Sequence, residues 1–157
     1  MKARTFAAES AKAERQKFED LFEFQCRQYR LPPSIRSFPM PQSAHPHNAR
    51  RQWYFDRAFP RQRLLVEIDG GIWRKGGGAH SHPLDIERNM RKQNDATLAG
   101  WRILRFTPAE ITGGDAIAFT QRVLHRIAAG ALPAPHLAPQ SQPGIGLPAA
   151  PFPEADL

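Results

Sequence analysis

WYFDRAFPRQRLLVEID, residues 53–69, is the stretch that decides the fold, and it carries three carboxylates, Asp56, Glu67 and Asp69. Its first half is aromatic and its second is rich in Leu, Val and Ile, compositions that suit half-buried or buried strands. Pro60-Arg61-Gln62-Arg63 between them is a polar connector of hairpin length. The stretch therefore predicts two paired strands, Gln52 to Phe59 and Leu64 to Asp69. With Phe59 facing Leu64 across the connector, Asp56 falls opposite Glu67. Alternation puts Asp69 on the Glu67 face and turns Val66 and Ile68 the other way. Opposed residues hold their Cβ atoms about 4.5–5.5 Å apart. Two carboxylates so close repel each other unless a proton or a cation lies between them. Paired oxygen ligands suit Mg²⁺, which takes one or two carboxylates and completes its shell with water and phosphate oxygens.

Outward from the hairpin, composition narrows the partner. The chain has 157 residues, enough for one domain with a real core, and a formal charge of +7 with a pI near 10.3. A basic chain with a small acidic cluster suits a polyanion brought to a cation site. Arg50, Arg51, Arg57, Arg61 and Arg63 surround the hairpin with positive charge suited to phosphate contacts. The single cysteine, Cys26, excludes an intramolecular disulfide and fits a reducing compartment. It lies in an apolar helical pattern and reads as core rather than nucleophile. No apolar leader and no run of about 20 apolar residues is present, so the expectation is a soluble, cytoplasmic protein outside the membrane.

Upstream, residues 1–9 are expected to be a flexible start. Ser10 can cap a helix running to Arg30, with Phe18, Leu21, Phe22, Gln25, Cys26 and Tyr29 on one largely apolar face. Glu19 and Glu23 lie beside that face, and either can reach toward the acidic hairpin; a solvated position is the competing reading. Ser34 to Phe38 predicts a short strand, followed by a Pro- and His-containing loop.

Downstream, Gly70-Gly71 turns the chain, and Arg74, Lys75, the triple glycine 76–78, His80 and His82 form a basic loop. No GK[ST] follows, so it is not a P-loop. His80 or His82 can act as a general base near a metal-bound water. Asp85 to Ala99 predicts a helix with Ile86, Met90, Thr97 and Leu98 toward the core and Lys92 further round, long enough to reach a sheet edge. Trp101 to Thr107 predicts a strand parallel to Leu64–Asp69 through a right-handed crossover. Pro108 to Ile111 reads as a turn, and Asp115 to Ala129 as a last helix ending at Gly130. Residues 131–157 turn to Pro, Ala, Gln and Gly, a composition that cannot build a core, and predict a disordered tail. Its Pro148-x-x-Pro151 spacing offers a contact to a Pro-binding protein partner. The domain is thus expected over residues 10–130, of α/β (α+β) class, with a mixed central sheet flanked by helices.

The segments FDRAFP, RLLVEIDGGIW, GGGAH and IERNMRKQNDATLAGWRILRFTP resemble small phage and bacterial endonuclease-like members of the PD-(D/E)xK superfamily, nearest the branch related to very-short-patch repair endonucleases. The resemblance spans roughly Phe18 to Ile127, and the pairing of VEIDGG with GWRILRFT is its most specific part. It implies a restriction-endonuclease-like core and a Mg²⁺-dependent DNA endonuclease, with Mn²⁺ expected to substitute. Asp56 is similar to the motif aspartate and Glu67 to the (D/E) residue, together binding Mg²⁺, with the Ile68 carbonyl as a third ligand. Asp69 occupies the motif's lysine position, a departure that also occurs in this branch. Lys92 on the following helix can fill the vacant role, with Gln93 and His80 as alternatives. Glu19 resembles the acidic residue that the first helix lends to such sites, Glu23 being the fallback. His80 matches the histidine this branch carries after the second strand. Arg51, Arg57, Arg74 and Lys75 are the expected DNA contacts. RNA remains open as a substrate, cutting both strands would favour a homodimer, and the other reading of the same fold is a non-catalytic nucleic-acid-binding module.

Overall fold

The computed structural model describes residues 2–40, 52–69 and 83–132. The order of elements is α1 (Lys2–Gln28), β1 (Ile35–Met40), β2 (Trp53–Phe59), a 3-10 turn (Pro60–Gln62), β3 (Leu64–Ile68), α2 (Pro83–Leu98), β4 (Arg102–Phe106), α3 (Pro108–Gly113) and α4 (Asp115–Ala128). The four strands form one mixed sheet in the order β1-β2-β3-β4. The first two pairings are antiparallel and β3–β4 is parallel. Helices cover both faces, so the α/β class expected from the hairpin and the strand–helix–strand unit holds.

The hairpin has the expected register: Phe59 pairs with Leu64, and the ladder continues to Arg57 and Val66. Arg63 closes the connector in the left-handed region, φ 48°. Leu64, Val66 and Ile68 point into a core built with Phe22 and Cys26 of α1, Ile111 of α3 and Ala116, Ile117 and Leu124 of α4. Leu65 points to the opposite core, with Ala58, Met40 and Ala96 of α2. Period-two alternation along β3 thus feeds two cores, one per face of the sheet.

In β2 the alternation breaks at Asp56. Arg57 and Phe59 face α1, yet Phe55 and Trp53 join the α2-side core that Ala58 also faces. The interruption is paired across the ladder: the β1–β2 register skips Ser37 and Asp56, and Ser37 adopts φ 47°. Asp56 sits where the strand exchanges faces, which frees its side chain for the Ile68 amide, at 2.8 Å, instead of a place in the alternation.

Three sequence expectations fail for physical reasons. Helix α1 begins at Lys2, so Ser10 lies inside it rather than capping it, and Tyr29 is exposed beyond its end. Residues 108–111 form a helix, because Thr107 and Glu110 make a reciprocal capping box around Pro108. Gly114, at φ 85°, then separates α3 from α4. Most consequentially, α2 is rotated from the expected face. Ile86, Met90, Thr97 and Leu98 are exposed, while Asp95 and Ala96 are buried. The buried indole of Trp53 donates to Asp95 at 2.6 Å, so a satisfied carboxylate and a small alanine face the sheet. That rotation carries Lys92 inward. The Pro-rich tail lies outside the described residues.

Candidate active site

Asp56, on β2, is 2% exposed. One of its oxygens accepts the Ile68 amide and the other accepts from the Arg15 guanidinium of α1. Arg15 also donates to Glu19 at 3.1 Å, one helical turn on, so Glu19 reaches the hairpin through this arginine. Glu23 turns away and pairs with Arg57. On β3, Glu67 accepts from Lys92, whose ammonium lies 4.1 Å above the Phe55 ring. Asp69 accepts two bonds from Arg105 of β4, both at 2.7 Å. Arg15, Phe55, Glu67, Ile68, Asp69, Asn89, Lys92, Gln93 and Arg105 line one pocket of about 50 Å³. That volume holds a few water molecules or one partly hydrated ion.

The acidic groups strain one another. Burial, with Asp56 adding to it, pushes the Glu67 carboxyl up from 4.5 to about 7, against the lowering pull of Lys92. Burial and then Asp56 also raise Glu19. Since Glu67 binds its proton more tightly folded than unfolded, it favours folding below about pH 4.5 and that contribution is lost as pH rises toward 7. The stability of Glu67→Gln relative to wild type is accordingly expected to climb by about 1–3 kcal/mol between pH 4 and pH 8. Urea unfolding across that range measures it, and a difference that stays flat would refute the raised carboxyl.

The donor set fits a hard divalent cation: two desolvated carboxylates and the Ile68 carbonyl, with water to complete the shell. Among the described residues no group of three or more His, Cys, Asp or Glu side chains is arranged to hold a metal, so protein ligation would rest on two carboxylates and main chain. Asp69 is committed to Arg105 and therefore positions a guanidinium instead of offering a free oxygen.

Of the residues read from sequence, Asp56, Glu67, Ile68, Asp69, Lys92 and Glu19 come together here, with Gln93 in the pocket wall. Arg57 is a correction. It is 2% exposed and ion-paired with Glu23, so it belongs to the interior and not to a DNA surface. His80, Arg51, Arg74 and Lys75 lie outside the described residues. Arg15 and Arg105 were not foreseen. A signal for Arg15 existed in its i,i+4 spacing to Glu19, and for Arg105 in the parallel register that pairs it with Glu67. Cys26 is buried and its thiol is pushed up to about 12 by burial, which keeps it inert.

Comparison with protein-family models, with curated proteins and with solved structures finds no match. Among the described residues no helix is long and apolar enough to cross a membrane.

Proposed function

We propose that this chain is a Mg²⁺-dependent DNA endonuclease of the PD-(D/E)xK kind, acting on cytoplasmic DNA in repair, recombination or phage DNA processing. The observation that carries this reading is a half-buried Glu67 paired with Lys92 of the next helix in one pocket, beside Ile68, whose amide holds the buried Asp56 of the adjacent strand. The net charge of +7 supports a polyanionic substrate.

Asp56, Glu67 and the Ile68 carbonyl would hold the ion. Bound there, Mg²⁺ (or Mn²⁺) would polarise the scissile phosphate and lower the pKa of a water. Lys92, fixed by Glu67 and the Phe55 ring, orients that water at its ammonium, with Gln93 and His80 as the alternative groups. Arg105, steadied by Asp69, is available at the pocket wall for a phosphate oxygen. Exposed Arg61, with Arg51, Arg74 and Lys75, supplies contacts along the DNA backbone. The water oxygen would attack phosphorus in line, forming one phosphorus–oxygen bond as the bond to the leaving sugar oxygen breaks, with the water's proton passing to solvent and the leaving oxygen taking one up from it. Lys92→Met is expected to slow single-turnover cleavage by about a hundredfold or more while changing DNA affinity little, because it removes the positioned group that orients the attacking water. Equal loss of binding and cleavage would take Lys92 out of the chemistry.

A second reading has its own support. Asp69 stands at the motif's lysine position, and Asp56, Glu67 and Asp69 each pair with a cation of the chain itself. That pattern favours a non-catalytic nucleic-acid-binding module. Incubation of a labelled mismatched or branched duplex with Mg²⁺, Mn²⁺ or EDTA separates the two. Metal-dependent products support the endonuclease. Salt-sensitive binding without any cutting supports the module.

A further inference from the structure

Two cations of the chain neutralise the carboxylate pair, and they are held very differently. Lys92 is shielded, with 15% of its side chain exposed, and is seated on Phe55 as well as on Glu67. Arg15 leaves 55% of its side chain in solvent, while its partner Asp56 is 1% exposed. Its guanidinium can therefore swing out from the first helix without disturbing a packed core. Asp56 would stay in place when it does, because the Ile68 amide still holds its second oxygen. A buried carboxylate stripped of its counter-charge is costly, so Arg15 leaves readily only when another cation takes over. Arg15 also lines the same pocket as Glu67 and Ile68.

From this we infer that Arg15 is a removable stand-in for the divalent cation: it neutralises Asp56 while the site is metal-free and is displaced when a metal ion binds. This rests on the metal-site reading above. It also gives Arg15 a role distinct from Lys92, which stays in the site whether metal is bound or not. Removing Arg15 deletes both a competitor for the Asp56 oxygen and a repelling charge beside the ion, and both changes tighten metal binding.

The test is Mn²⁺ binding by the full chain, followed through the paramagnetic resonance of free Mn²⁺, together with melting temperature with and without Mg²⁺. Arg15→Gln is expected to bind Mn²⁺ about three- to tenfold tighter than wild type, the gain of removing an ion pair of this exposure. Its melting temperature should drop without metal and recover more than the wild type's when Mg²⁺ is added. Glu67→Gln should abolish binding and thereby reports on the site reading separately. Should binding depend on Glu67 but be unchanged or weaker in Arg15→Gln, the displacement is overturned and the metal site stands. Absence of Glu67-dependent binding in wild type and Arg15→Gln alike overturns both. Arg15→Lys keeps the charge with poorer geometry, so it covers the case in which Arg15→Gln does not fold. It is expected to fall between wild type and Arg15→Gln, and wild-type affinity in it would overturn the proposal.

Discussion

Glu67→Ala is expected to lower metal-dependent DNA cleavage by about a thousandfold or more, with the fold intact. Glu67 is one of the two side chains assigned to the ion in the proposal, and stabilisation of phosphoryl charge by a metal is worth several kcal/mol, where about 4 kcal/mol corresponds to three powers of ten in rate. The loss should not come from unfolding. Burial disfavours the charged form of the Glu67 carboxyl, so its deletion relieves a cost that offsets part of the lost pairing with Lys92. Single-turnover cleavage, with circular dichroism as the folding control, decides this. A variant that retains wild-type rates would place the chemistry elsewhere. Asp56→Ala should lose as much activity but more stability, since the Ile68 amide and Arg15 both lose their acceptor.

Arg57→Ala is expected to destabilise the protein by about 2–4 kcal/mol while leaving the DNA affinity of the folded molecule unchanged. Breaking a buried ion pair from one side typically costs about 3–5 kcal/mol, and Glu23, 30% exposed, keeps enough water to reduce that somewhat. Arg57 also donates to the Glu19 main-chain carbonyl, at 3.4 Å, which ties β2 to the helix carrying Arg15. Urea unfolding gives the stability and a binding isotherm below the melting temperature gives the affinity. Unchanged stability with weakened binding would return Arg57 to the DNA surface, where its sequence neighbours first suggested it.

Arg57 also shows where sequence stops being informative. The hairpin, its register and the parallel β3–β4 pairing were legible because alternation, connector length and apolar runs are local signals. The grouping of Asp56 with Glu67 was legible only in part, since the ladder stops at Arg57 and Val66 and the face exchange sends the Asp56 carboxylate to the Ile68 amide. The orientation of α2 was not. Its apolar stripe argued for one face, and the indole-to-carboxylate bond between Trp53 and Asp95, 42 residues apart, imposed another. The exchange of faces at Asp56 was hidden for the same reason, as nothing in WYFDRAF marks the unpaired Ser37 opposite it. Charged residues were the least legible of all. A cluster of arginines around a hairpin looks alike whether it meets phosphate or, as with Arg57, a glutamate on a neighbouring helix. The capping box Thr107-Pro108-Ala109-Glu110, by contrast, is a helix signal present in the sequence, although the segment reads there as a turn.

The central claim is that the site built from Asp56, Glu67 and Lys92 hydrolyses DNA. Conversion of supercoiled plasmid to nicked or linear product, by wild type and Glu67→Ala prepared in parallel, tests it most directly, with Mg²⁺ and with EDTA. The account predicts products for wild type in Mg²⁺ alone and essentially none for the variant. Equal cutting by both proteins, or no cutting by either with any metal, would contradict it.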